Sequence, residues 1–156
     1  MSSLSIVCIG KLKEKYWKDA QAEYTKRLSA FCRASIIEKS EAPLPKDASE
    51  ALILKAREQE GQALLGAAKG TLIALSPEGR QMDSERFSAL VKKLSDAGDF
   101  SFVIGGSYGL SDAVKKSTHH IISFSDLTMP HQLFRIVLLE QIYRGFMIAA
   151  GRTYHK

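Results

Sequence analysis

The residues able to do chemistry crowd into the last third of this chain. Gly105-Gly106-Ser107-Tyr108-Gly109 follows directly on the apolar run Phe102-Val103-Ile104. Glycines there allow a ligand to approach the backbone closely, and they equally suit a tight turn that needs positive φ and holds nothing. A second stretch, Ser123-Phe124-Ser125-Asp126-Leu127-Thr128-Met129-Pro130-His131, leaves an apolar strand and enters a helix at a proline. Its hydroxyls, Phe124 and Leu127 can line an adenine-sized pocket and offer backbone hydrogen bonds, although such a stretch also reads as a plain loop. Two strand-to-helix turns on one sheet edge are where open α/β folds bind small molecules. Arg144 stands four residues after Glu140, the spacing of a helical ion pair. The terminal Arg152, Tyr154, His155 and Lys156 join cation, ring and imidazole, a composition suited to stacking on bases and contacting phosphates. A frayed terminus is the other reading.

Other chemistries find no footing. There is no GxGxxG, Walker lysine loop, HExxH, GxSxG or CxxC pair. No histidine–carboxylate cluster suggests a metal, and His119 and His120, adjacent at a strand start, cannot both point inward. A cofactor held mainly by backbone groups fits this inventory better than one held by charged side chains. Cys8 and Cys32 are far apart, without metal or redox spacing, and read as small buried hydrophobes in a reducing cytoplasm. The net charge of +5 favours a polyanionic partner. No apolar run approaches bilayer length, and Leu4-to-Ile9 lacks a small-residue cleavage site, so it reads as a first strand and not a signal peptide. At 156 residues, one domain spanning 1–156 is expected.

Holding the two turns in place is the work of a sheet. Apolar runs at Leu4–Ile9, Ser35–Glu38, Thr71–Leu75, from Phe100, and His120–Phe124 predict five strands. They are separated by helices and nearly continuous in apolar character, which indicates a parallel sheet covered on both faces, an α/β fold. The first helix is expected from Tyr16 to about Phe31, with Tyr16, Ala20, Tyr24, Leu28 and Phe31 on one face and Trp17 widening it. Lys39 to Lys46, with Pro43 and Pro45, is a surface excursion. Asp47 or Ser49 caps a helix running to about Ala68, and Ser76-to-Arg80 turns away from the third strand. Asp83 or Ser84 caps a helix carrying Phe87, Leu90, Val91 and Leu94, and Ser111-Asp112 opens a short one. The last helix takes Pro130 as its first residue. From Leu133 to Ala150 only Arg135, Glu140 and Arg144 are charged. A helix apolar nearly all round must be buried twice, so a homodimer through it is predicted.

Several segments together resemble a known family: Ile9-Gly10-Lys11-Leu12-Lys13, the Phe102-to-Leu110 run, Ser123-to-Gln132, Glu140-to-Arg144 and Tyr154-His155-Lys156. The chain is similar over essentially its whole length to the small SPOUT-class methyltransferases that modify N3 of a pseudouridine in helix 69 of bacterial 23S ribosomal RNA. That resemblance implies a C-terminal trefoil knot, S-adenosylmethionine as methyl donor, a homodimer, and a substrate within the large subunit or assembled ribosome. It maps the donor contacts onto Leu75, Gly105, Phe124, Ser125, Asp126, Leu127, Thr128 and Met129, and implies no metal. The chain departs from the family pattern at Arg80, where a lysine is frequent, and at Met129, which replaces another apolar residue.

For the implied reaction, the weakly acidic N3–H must lose its proton, and positioning carries much of the catalysis. His155 is the candidate base, Tyr154 positions or stacks on the target base, and Arg144 stabilises developing charge or holds a phosphate. His131 is expected to be structural. RNA would be met by Lys11, Lys13, Lys15, Arg144, Arg152 and Lys156 on the dimer surface, in the cytoplasm. A knotted methyltransferase acting on transfer RNA and an RNA-binding module without donor binding are the competing readings.

Overall fold

The computed structural model describes residues 1–156. Five strands, β1 (Ser3–Ile9), β2 (Arg33–Lys39), β3 (Thr71–Arg80), β4 (Phe100–Ile104) and β5 (His120–Ile122), form one sheet in the order β2-β1-β4-β3-β5. Every neighbouring pair is parallel, as the apolar runs require. Helices α1 (Lys15–Leu28), α3 (Ser84–Ala97) and α5 (His131–Ala149) pack together, and α2 (Glu50–Ala67) packs with α4 (Asp112–Ser117). The strand alternation explains the two layers. Leu4, Ile6, Cys8, Phe100, Phe102 and Ile104 feed one core with α1, α3 and α5, while Val7, Ile9, Ala74 and Val103 feed a smaller one with α2 and α4. Phe100 and Phe102 are fully buried, and each such side chain contributes roughly 1.5–3 kcal/mol of transfer free energy.

Local chemistry sets the helix starts. Ser49 accepts from the Leu52 N–H at 3.3 Å, Asp83 from Arg86 at 2.8 Å and Ser111 from Val114 at 3.3 Å. Each satisfies an orphan donor of a first turn. Both cysteines are buried. No helix is long and apolar enough to cross a membrane.

Four expectations need correction. Tyr16 is 63% exposed and touches Trp17 edge-on at 5.1 Å, so the inward face of α1 includes Trp17 instead. That helix ends at Leu28, and Phe31 beyond it stacks on Phe146 at 5.2 Å. Pro130 is the N-cap of α5 and not its first residue, because its ψ of 144° is extended. The largest difference lies between β3 and β5. Ser76-to-Arg80 does not leave the sheet for good: Leu75 and Arg80 both pair with Ile122, with the intervening residues bulging out. Ser123 then donates its N–H to the Arg80 carbonyl at 3.1 Å, and β5 stops at Ile122 instead of reaching Phe124. Gly79 is required at this crossing. A Cβ there would lie 2.6 Å from the Ile122 backbone nitrogen.

Candidate functional site

The C-terminal ends of β3, β4 and β5 open into a cavity of about 360 Å³. Leu75 closes one side, Gly105 and Gly106 another, and Phe124 through Met129 a third, so the eight residues assigned to donor binding share one cavity. The glycine turn is compact because its two limbs touch. Gly106 bridges Gly109 in antiparallel fashion, Gly109 sits at φ +80°, and a Cβ on Gly105 would lie 2.8 Å from the Gly109 carbonyl. The turn does need positive φ, at Gly109, and the backbone of the same glycines lines the cavity.

The loop from Ser123 is held by its own hydroxyls and by one aromatic ring. Ser125 Oγ accepts from the Leu127 N–H at 2.9 Å. Phe124 packs against Phe87 at 5.5 Å and Phe134 at 5.4 Å, which anchors the loop to α3 and α5. Leu127 projects outward, 80% exposed. The one carboxylate on the cavity wall, Asp126, accepts from Gln81 Nε2 at 2.8 Å. Apart from His131, the rest of the wall is backbone, hydroxyl and apolar side chain. His131 also lines the cavity and is exposed.

A second cavity, about 570 Å³, adjoins the first and shares Ser123, Phe124 and Met129 with it. His155 stands on its wall, which also includes Asp83 and Glu85 at the start of α3. The tail that carries His155 is docked on α5 through Glu140. One Glu140 oxygen takes the Arg144 guanidinium (Nε 2.9 Å, second nitrogen 2.8 Å), and the other takes the Tyr154 hydroxyl at 2.7 Å. The Tyr154 ring lies 4.7 Å from the Arg144 guanidinium and meets Tyr143 edge-on at 5.1 Å. Burial, reinforced by the Glu140 carboxylate, pushes the Tyr154 phenol up, so it remains a hydroxyl donor at neutral pH. Tyr24, facing the same carboxylate, is pushed up to about 12, chiefly by burial.

Arg144 also lies 3.2 Å from Nδ1 of His155. A guanidinium only donates, so Nδ1 accepts, and the neutral ring carries its hydrogen on Nε2. The structure therefore brings Arg144, Tyr154 and His155 together. Of the three, His155 alone lines the second cavity, and none lines the first.

The geometry has left two adjoining chambers on one sheet edge, and comparison with known proteins meets it there. Residues 2–155 match the family model described as predicted SPOUT methyltransferase. The chain belongs to the SPOUT methyltransferase family. It is 49% identical to the ribosomal RNA large subunit methyltransferase H of Lactobacillus acidophilus, over 99% of each chain. It is 47% identical to the protein of that name from Streptococcus uberis, over 98% of this chain and 99% of the relative. A solved structure, a probable methylase family protein from Haemophilus influenzae Rd KW20, superposes with a TM-score of 0.53. That match, at 13% identity, covers 98% of this chain and 70% of the other, and it shows the fold alone.

In this SPOUT chain some supporting residues escaped the sequence reading. Arg135, 4% exposed, reaches under the sheet end to Glu38 at 2.5 Å, Gln21 at 3.2 Å and the Gly10 carbonyl at 3.2 Å. Glu38 in turn takes the Leu12 N–H at 3.2 Å, so α5 fixes the Gly10-to-Lys13 exit loop. Glu60, buried on α2, accepts from the Ala42 N–H at 2.9 Å and lies where a Gly106 Cβ would be. A lone charge in an apolar helical run was the one available signal for Arg135. Glu60 gave none.

Proposed function

We propose that this SPOUT enzyme methylates N3 of a pseudouridine in helix 69 of 23S ribosomal RNA, using S-adenosylmethionine, on the large subunit or the assembled ribosome in the cytoplasm. The observation that carries the reading is the pair of adjoining chambers divided by Ser123, Phe124 and Met129. Such a pair suits a transfer between two substrates held side by side. The relatives named as ribosomal RNA large subunit methyltransferase H supply the substrate class.

The smaller chamber fits a nucleoside-type donor in its chemistry. Its wall combines apolar side chains, hydroxyls and glycine backbone, and its volume lies in the range of small-molecule sites. Leu75, Gly105 and Phe124 through Met129 would hold the donor, which supplies a methyl group on a sulfonium. The target base would enter the second chamber beside His155. Tyr154, fixed by Glu140, orients the tail, and Arg144 counters negative charge that develops on the ring as N3 gives up its proton to solvent water.

His155 has a narrower part than a free imidazole would. While Arg144 occupies Nδ1, the ring offers Nε2–H as a donor to a base carbonyl, and it becomes a base only after parting from Arg144. His155→Gln retaining most of the single-turnover rate that His155→Ala loses would support the donor role. A loss by both, with the acid limb of the pH–rate profile abolished, would restore the base.

The homodimer remains part of the proposal. On α5, Leu133, Val137, Met147 and Ile148 stay partly exposed, a row of apolar side chains suited to a second copy. The deciding experiment offers labelled donor to ribosomes, free large subunits and transfer RNA and then identifies the modified nucleoside. Label confined to N3 of a pseudouridine in 23S RNA is expected. Label in transfer RNA alone would overturn the substrate, and failure to bind donor would overturn the enzyme.

A further inference from the structure

A third cavity, about 490 Å³, lies at β5, the edge strand of the sheet. Arg80, Arg86, His119 and His120 surround it over an apolar floor that includes Leu90 and Ile121, and no carboxylate lines it. The two arginines differ from those already neutralised by a carboxylate; Arg33, Arg57 and Arg152 also lie outside any ion pair, but none of them lines this groove. Arg27, Arg135 and Arg144 are each paired with a carboxylate. Arg80 and Arg86 are exposed, and neither appears in any of the ion pairs of the protein.

His119 adds a donor of fixed sense. Its Nδ1 accepts from the Leu72 N–H at 3.2 Å, so its neutral ring carries the hydrogen on Nε2. A groove that offers two unpaired guanidinium groups and an N–H, with no acceptor charge of its own, is complementary to a phosphodiester.

Its position ties the groove to the reaction site. Ile122 lines both this groove and the smaller chamber, and Met82 lines both this groove and the chamber holding His155. Between Arg80 and Met82, Gln81 bonds Asp126 of the donor loop at 2.8 Å. A strand whose base occupies the second chamber would thus have a neighbouring stretch of backbone within reach of the groove.

We propose that this groove binds the phosphodiester backbone of the RNA substrate, through Arg80 and Arg86 with His119 and His120 beside them. The proposal rests on RNA being the substrate, and it assigns backbone positioning, not base recognition, to this edge.

The test is direct binding of large-subunit ribosomal RNA across a salt series, with donor binding and methyl transfer measured on the same preparations. The variants are Arg80→Gln/Arg86→Gln and, as a charge-matched control on exposed residues elsewhere, Lys46→Gln/Lys55→Gln. Each single-strand phosphate contact contributes about −0.7 to the slope of log K against log salt. Losing two should make the slope shallower by about 1.4 and weaken binding at least tenfold near physiological salt, with donor affinity and urea midpoint unchanged. Wild-type affinity in the arginine variant, or an equal loss in the lysine control, overturns the groove. Wild-type protein that binds RNA but transfers no methyl group overturns the proposed reaction, and the two slopes still decide the groove.

Discussion

Glu140→Gln is the perturbation that bears most directly on the proposed reaction, because Glu140 touches neither chamber yet holds the tail that reaches one of them. Its carboxylate receives two bonds from Arg144 and one from Tyr154, with the Arg144 and Glu140 side chains 24% and 19% exposed. Hydrogen bonds to a charged group contribute about 1.5–3 kcal/mol, against roughly 0.5–1.5 for neutral pairs. Glutamine keeps the shape and one carbonyl acceptor, so each bond loses on the order of 1 kcal/mol. Arg144 lies on α5 itself, so only the Tyr154 bond counts against docking, about 1 kcal/mol. At 1.4 kcal/mol per tenfold, docking weakens roughly fivefold. The single-turnover rate of methyl transfer should fall, donor affinity by calorimetry should stay within about twofold, and trypsin should cut faster at Arg152. Tyr154→Phe, which removes that bond outright, should produce the same pattern at least as strongly. A Glu140→Gln protein with wild-type transfer rate and wild-type tail protection would refute the idea that the docked tail works in the reaction. A loss of donor binding would refute the division of labour between the two chambers.

Three further outcomes follow from the geometry. Arg135→Met should lower the free energy of urea unfolding by about 3 kcal/mol, the low end for a broken buried pair, because Glu38 keeps 32% exposure and the Leu12 N–H. A change below about 1 kcal/mol would show the pair to be dispensable. Gly105→Ala should retain the fold by circular dichroism but lose donor binding tenfold or more, since its Cβ would meet the Gly109 backbone at 2.8 Å and force the turn open. Donor binding unchanged in that variant would remove the turn from the site. Burial pushes the Cys8 and Cys32 thiols up to about 11, so alkylation at pH 8 should be slow in the native protein and rapid in urea. The unfolded thiols ionise near pH 9 while the folded ones stay protonated, so each contributes a stability loss of about 1.4 kcal/mol per pH unit between roughly 9 and 11. Cys8→Ala/Cys32→Ala should lack that added slope; an unaltered slope would contradict the shifts.

What could be read along the chain and what could not divide by the distance over which the cause acts. The strands, the parallel sheet and the cap at Ser111 were legible because each depends on a short window of residue types, as were the caps at Ser49 and Asp83 to within a choice of two. The Glu140–Arg144 pair was legible for the same reason, being one helical turn. On α1, Tyr24 and Leu28 lie inward and Trp17 widens that face as expected, while Tyr16 in the first turn faces solvent, since periodicity gives no way to choose between two adjacent aromatics. Pro77 and Gly79 carry turn chemistry, so Ser76-to-Arg80 read as an exit from the sheet. Only pairing to Ile122, more than forty positions away, returns that segment to the edge.

The same distinction separates the two halves of the candidate site. The glycine turn and the Ser123–Met129 loop announced themselves by composition, but neither is a cavity alone. The chamber exists because β3, β4 and β5 end together, and that coincidence depends on crossovers no local pattern encodes. The tail is the sharper case. Nothing in Tyr154 or His155 distinguishes a docked terminus from a frayed one, and the hydroxyl-to-carboxylate bond that decides it joins residues fourteen apart across a helix end. Docking also changes the chemistry that the residue types suggest. A free imidazole at a terminus is a base in waiting, whereas one that accepts from a guanidinium presents an N–H, so the tail's role turns on a contact the amino acids do not declare.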